Sequence, residues 1–122
     1  MPCRLTWEPK GVVRQCTGIT TGSEIAASVR EVEADARFDD LRFVINDLTD
    51  CAGLSIAPED VAYFAAMDTA AAYSNERIRI AMVGTLPDMA NLVAGYARLL
   101  RGVYRVRRFE TLREARDWLA TS

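Results

Sequence analysis

The sequence predicts an α/β protein with a mixed five-stranded sheet, an N-terminal antiparallel hairpin and four helices, in the order ββαβαβαβα. Three observations carry that prediction. Leu41 to Leu48 contains Phe43-Val-Ile45, apolar on consecutive rather than alternate residues, which suits a strand covered on both faces in the middle of a parallel sheet. Later apolar runs of strand length alternate with single stretches of helical periodicity, implying parallel neighbours joined by right-handed crossovers. Thr-x-x-Glu, the capping-box spacing, precedes helical patterns at Thr21 and again at Thr111, fixing two helix starts. At 122 residues, half of them hydrophobic, residues 1–122 form one domain able to bury a core without metals or disulfides.

Leu5-Thr-Trp7-Glu-Pro-Lys-Gly11-Val-Val13 reads as two short strands around a turn, with Pro9 fixing φ at the first turn position and Gly11 free to take a positive φ. Gly18 to Gly22 is a loop. The helix from Thr21 turns Ile25, Val29, Val32 and Ala36 inward and stops before Asp39-Asp40. The central strand then ends in Asn46, Asp47, Thr49 and Asp50 and opens onto a loop, Cys51 to Ala57. Pro58 suits the first position of the next helix and Glu59 and Asp60 its positive end, while Val61, Phe64, Met67 and Ala71 recur at helical spacing. That helix is alanine-rich, so it can lie close to the sheet or to another protein. Ile78 to Gly84 is a second buried strand. Thr85-Leu-Pro-Asp88 leads a helix whose stripe is Met89, Leu92, Val93, Tyr96, Leu99 and Leu100, capped by Gly102. Tyr104 to Phe109 is the last strand, and the helix after Thr111 buries Leu112, Ala115, Trp118 and Leu119.

Composition limits the function classes. The start of the chain lacks an apolar stretch of signal-peptide length, and no segment approaches the roughly 18 apolar residues of a membrane span. A cytoplasmic protein with no transmembrane segment is expected. Cys3, Cys16 and Cys51 match no zinc spacing and fit reduced thiols, although hairpin register could set Cys3 opposite Cys16. The net charge of −2 hides an asymmetry, since residues 1–76 hold 6 Lys and Arg against 13 Asp and Glu, and residues 77–122 hold 9 against 4. Arg101, Arg105, Arg107 and Arg108 are the densest basic cluster. They could attract an anion, but an edge strand carries such charge simply to discourage sheet-to-sheet pairing. An acidic domain argues against nucleic acid as a partner.

Several stretches together resemble the small bacterial SpoIIAA-like, or STAS-like, domains over nearly the whole length. They are Trp7-Glu-Pro-Lys-Gly-Val12, Gly18-x-x-Thr-x-x-Glu-Ile25, Val44-Ile-Asn-Asp-Leu48, Pro58-Glu-Asp-Val61, Ile80-Ala-Met-Val83 and Phe109-x-Thr-x-x-Glu-Ala-x-x-Trp-Leu119. The resemblance implies a SpoIIAA-like β/α superhelix. The wider group includes anti-anti-sigma factors that bind a kinase partner, cytoplasmic domains of anion transporters and lipid-carrier relatives. In the antagonists the switch is a serine at the start of the helix after the central strand. Its place here falls on Ile56 or Ala57, and Ser55 lies outside the helix start, which argues against a phospho-switch.

No histidine occurs, which removes the commonest general base and a preferred zinc ligand. Asp47 and Asp50 could pair for acid-base work or Mg²⁺, yet carboxylates at a strand end ordinarily bond loop amides. Cys51 is the sharpest nucleophile candidate but has no basic neighbour in sequence. Gly84-Thr-Leu-Pro could hold an anion on backbone amides; tight packing explains Gly84 as well. Tyr63, Tyr73 and Tyr96 could line an apolar pocket or dimer face, against the ordinary reading of amphipathic core. Three hypotheses follow, with no cofactor or metal in the first two. The first is a non-enzymatic STAS-like module contacting a protein or itself through the Pro58 helix, with Ala62 on it, and the loop before. The second is a carrier of a small apolar or anionic, lipid-like ligand at the C-terminal ends of the strands, at Thr49, Asp50, Ser55, Thr85 and Asp88. The third is an enzyme using Asp47, Asp50 or Cys51.

Overall fold

The computed structural model describes residues 3–121. Strands β1 (Cys3–Glu8) and β2 (Gly11–Cys16) form the antiparallel hairpin, with Cys3 opposite Cys16 and Trp7 opposite Val12. The positive φ of its turn, +67°, belongs to Lys10 and not to Gly11. Gly11 is glycine for another reason, because a Cβ there would lie 2.0 Å from Cζ of Phe43 on the adjoining strand. Strands β4 (Phe43–Asp47), β6 (Arg79–Val83) and β7 (Arg105–Phe109) continue the sheet in parallel, in the order β1-β2-β4-β6-β7. The expected central strand is therefore central, with Val44 and Ile45 buried on opposite faces.

Two segments expected as loops are short strands. β3 (Gly18–Thr21) and β5 (Cys51–Ser55) pair in parallel as a separate two-stranded ribbon just beyond the C-terminal ends of β2 and β4. Neither Gly-Ile-Thr-Thr nor Cys-Ala-Gly-Leu-Ser has apolar alternation, so their strand state comes from pairing with each other across the fold.

Both capping boxes form. Thr21 Oγ1 accepts the Glu24 amide at 3.2 Å and opens α1 (Gly22–Ala34), and Thr111 Oγ1 accepts the Glu114 amide at 3.2 Å and opens α4 (Leu112–Leu119). α1 buries Ala26, Val29 and Val32, with Ile25 half-buried. Ala36 lies outside that helix in a 3-10 turn, Ala36–Asp40, started by Asp35 accepting the Arg37 amide. α2 (Pro58–Ala71) turns Val61, Phe64, Ala65 and Asp68 inward, leaving Met67 and Ala71 half-buried. α3 (Met89–Leu99) starts later than Thr85-Leu-Pro suggests and leaves Leu99 53% exposed, while Met89, Val93 and Leu100 are buried. Gly102 takes φ = +81° past its end.

Alternation along the strands divides the core. Val12, Val44 and Ile80 face α1, α2 and α3, which pack side by side on one surface of the sheet. Ile45, Ala81 and Val83 face α4 and meet Ala115, with Phe43, Phe109, Leu112 and Trp118 closing that side.

Candidate functional site

Under α1, α2 and α3 the strands carry polar residues in the same phase as the core. Arg14 on β2, Asn46 on β4 and Met82 on β6 are neighbours in register, forming one row across the middle of the sheet. Arg14 is 5% exposed. Its Nε donates to Ser28 Oγ of α1 at 2.6 Å, and its Nη1 donates to Asn46 Oδ1. The Asn46 amide nitrogen in turn lies 3.2 Å from Met82 Sδ.

Close by, Glu33 of α1 and Asp68 of α2 face each other, and the Tyr96 hydroxyl of α3 donates to Asp68 Oδ2. Burial and the facing Asp68 carboxyl push Glu33 up to about 8, and burial raises Asp68 too. The Tyr96 phenol is raised by burial and by the Asp68 charge.

Beside this polar row is a cavity of about 70 Å³, walled by apolar side chains from all three helices, the ribbon and the sheet. Cys16, Leu48, Met89 and Val93 form buried parts of its wall, and the half-buried Ile25, Leu54, Ile56 and Leu92 mark where it reaches solvent. Arg14, Asn46 and Tyr96 are the polar residues that line it. Arg14, Asn46 and Tyr96 also border a smaller cavity of about 30 Å³ on the side of Glu33 and Asp68. At roughly 10–15 Å³ per water on this measure the larger space holds several waters, and it is smaller than the ~150 Å³ cavity that accommodates benzene.

Of the residues expected from sequence to bind a ligand or partner, Tyr96 lines this cavity, whereas Thr49, Asp50, Ser55, Pro58, Ala62, Thr85 and Asp88 do not. Thr49 and Asp50 are exposed in the turn after β4, where Asp47 accepts the Thr49 amide at 3.1 Å and its hydroxyl at 2.7 Å. Ser55 ends β5, Pro58 begins α2, Ala62 lies one turn further on, Thr85 follows β6 and Asp88 precedes α3, all exposed. Their chain neighbours Leu48, Leu54, Ile56 and Met89 supply the wall instead. Leu54 and Ile56 flank Ser55 because alternate residues of an extended chain point to opposite sides.

The remaining candidates have local structural partners. Cys51 is buried on β5, with Sγ 3.3 Å from the Gly18 carbonyl and 3.2 Å from that of Gly53. Cys3 and Cys16 face each other as free thiols, and the contact with Cys3 together with burial raises the Cys16 thiol. Gly84 has φ = +153° and a Cβ there would lie 3.0 Å from Met89 Sδ, so packing accounts for it. Tyr63 is 49% and Tyr73 93% exposed, so the three tyrosines do not share a pocket. The edge-strand arginines are exposed, but Arg105 and Arg107 lie 6.0 and 5.7 Å from the Trp118 ring and so also pack over α4. Among the described residues no three metal-ligating side chains come together, and no helix is long and apolar enough to cross a membrane.

Sequence reasoning missed Arg14, Ser28, Glu33 and Asp68. The readable signal was phase: Arg14 falls between Val12 and Cys16 at inward spacing, and Asp68 falls four residues after Phe64 and seven after Val61. A charge in step with a buried stripe marks an internal polar group, whichever side of the core it serves.

No family model matches the chain, and no curated protein sequence does. Its backbone is similar to the anti-sigma factor antagonist SpoIIAA in its unphosphorylated form, with a TM-score of 0.63 and 10% identity over 98% of this chain and 99% of that one. The phosphorylated form of the Bacillus cell fate determinant SpoIIAA matches with a TM-score of 0.59 and 12% identity over 96% and 98% of the two chains. An uncharacterised protein of the DUF3478 family with a SpoIIAA-like fold, from Shewanella loihica PV-4, matches with a TM-score of 0.52 and 16% identity over 97% and 92%. At these identities the likeness is one of fold.

Proposed function

We propose, with the SpoIIAA-like fold as premise, that this chain is a non-enzymatic binding module whose cavity under α1, α2 and α3 receives a small, mostly apolar ligand. The observation that carries the reading is that cavity, walled by apolar side chains yet reaching solvent between the ribbon and α3. A concave apolar space with a few convergent polar groups is the usual form of a small-molecule site. It favours the carrier hypothesis over an enzyme, since Cys51 is buried against backbone carbonyls and Asp47 is engaged by Thr49. Thr49, Asp50, Ser55, Thr85 and Asp88 then form a polar rim around the mouth. Native mass spectrometry of the chain purified from its source is expected to find added ligand mass that organic extraction removes; the bare chain mass alone would count against the reading. Titration with 1-octanol should move the amide resonances of Leu54, Ile56 and Val93 and leave α4 unmoved.

A second reading, contact with a protein partner or a second copy, is favoured by one surface feature. On α2 the exposed Ala62, Ala66 and Ala70 lie alongside Tyr63, whose hydroxyl accepts from Arg30 of α1 at 3.2 Å. One solved neighbour is an anti-sigma factor antagonist, and a partner-binding role here would use Pro58 and Ala62. Recovery of the same partners by the wild-type chain and by Ala62→Glu would remove this face from consideration. A phosphorylation switch is not part of either reading, because α2 is preceded by Ala57, which has no hydroxyl.

A further inference from the structure

We infer that the ligand is an amphiphile with one anionic headgroup, a carboxylate in the simplest case, seated on Arg14 with its apolar tail directed to the mouth at Leu54 and Ile56. The inference rests on the apolar-ligand reading above and adds the chemistry of the buried end.

Arg14 is the reason. A guanidinium stays charged in proteins, and burying it away from a counter-ion is costly. Arg14 is 5% exposed, and among the described residues no carboxylate oxygen comes within 4.0 Å of it. Its hydrogen-bonding partners, Ser28 and Asn46, are neutral and occupy Nε and Nη1, leaving Nη2 without a bonded oxygen among the described residues. Arg14 lines the cavity, so a carboxylate entering there would meet a side chain whose guanidinium is already oriented by two bonds.

The nearby acids do not pair with it directly. Glu33 and Asp68 border the smaller cavity with Arg14, and its charge pulls both carboxyls down against burial, but they are engaged with each other and with Tyr96 and neither reaches the guanidinium within 4.0 Å. Burial helps hold Glu33 up at about 8, so near neutrality it keeps its proton. The other polar groups of the wall are already engaged, Asn46 with Arg14 and Met82, and Tyr96 with Asp68. A neutral headgroup would have to compete for them, whereas an anion gains the one strong donor left. The cavity of about 70 Å³ accommodates the headgroup and first carbons, and the half-buried Ile25, Leu54, Ile56 and Leu92 receive the rest of a short tail.

The test is a titration of the full chain at neutral pH with octanoate and with 1-octanol, probes of matched tail, followed by calorimetry and by the Arg14 Nε-H resonance. Leaving water costs a carboxylate more than an alcohol, so preference for octanoate requires the buried cation. The wild type is expected to bind octanoate roughly tenfold or more tightly than octanol, the order of one charge-assisted hydrogen bond. The Nε-H resonance should move with octanoate only. Arg14→Met should lose the preference while still binding octanol, and Arg14→Lys should keep part of it. Equal binding of the two probes by the wild type, or tighter binding of octanol, overturns the anionic headgroup and leaves the apolar-ligand reading standing. If neither probe binds, that reading falls and the headgroup with it. The wild-type comparison decides even if a variant fails to fold.

Discussion

Phe43 and Glu33 illustrate how single residues set constraints that composition hides. The Phe43 ring occupies the space where a side chain on Gly11 would sit, with Cζ 2.0 Å and Cε1 2.2 Å from an ideal Cβ. Gly11→Ala should therefore destabilise the fold by about 1–3 kcal/mol, the usual range for overpacking, seen as a lower urea midpoint; Phe43→Leu in the same chain should recover part of the loss. An unchanged midpoint would mean that the ring moves aside freely. Glu33 gives a pH dependence of definite sign. Its folded-state pKa of about 8 lies above the ordinary carboxyl value of roughly 4.3, so between those values the folded chain holds more protons than the unfolded chain. Its contribution to stability is then fully present below the unfolded pKa and is lost as pH rises towards 8. Glu33→Gln should flatten that decline and raise stability at mildly alkaline pH by about 1 kcal/mol, well below full linkage because the residue is only half-buried. Urea melts across that pH window would check it.

At the scale of elements, local signals were most legible where a helix start is written in side chains. Thr21 with Glu24 and Thr111 with Glu114 form reciprocal caps, and along the chain the five strands of the main sheet alternate with the helices as expected. The ribbon β3–β5 was not legible, because its strands have no pattern of their own and exist through each other. α4 shows how caps combine with tertiary contacts. It has only eight residues, so its start relies on Thr111, while its end is held by Arg79, which donates to the carbonyls of Trp118, Leu119 and Thr121 at 3.0, 2.8 and 2.9 Å. Thr111→Ala should cost about 1 kcal/mol, and Arg79→Met should cost a similar amount while shifting Trp118 emission to the red as α4 loosens. A variant whose Trp118 emission matches the wild type would show that packing over Phe109, with ring centroids 5.5 Å apart, holds α4 without the clamp.

For the whole molecule, the sheet separates two differently packed faces. The face under α4 is closed, with Ile45, Ala81, Val83 and Ala115 all at 0% exposure. The face under α1, α2 and α3 has the cavity and the buried Arg14 row. The sequence makes the sandwich readable through Phe43-Val-Ile45, and it directs attention to the C-terminal ends of the strands, beside which the cavity lies. It does not make the wall of the cavity readable, because Leu48, Leu54, Ile56 and Met89 look like any core residues, and which apolar side chains leave a space among themselves depends on how three helices settle together. The same division makes stability and binding separable. Ile45→Ala removes side-chain volume from a closed, fully buried position and should cost about 2–5 kcal/mol, with little change in affinity for an apolar probe once the chain is folded. Leu54→Ala removes a half-buried side chain at the mouth and should cost only about 1 kcal/mol, yet weaken probe binding several-fold because the tail loses its contact there. Urea midpoints and octanoate titrations on the two variants measure both quantities. Loss of affinity in Ile45→Ala without loss in Leu54→Ala would mean that the ligand approaches the α4 face, and the assignment of the cavity as the site would have to be abandoned.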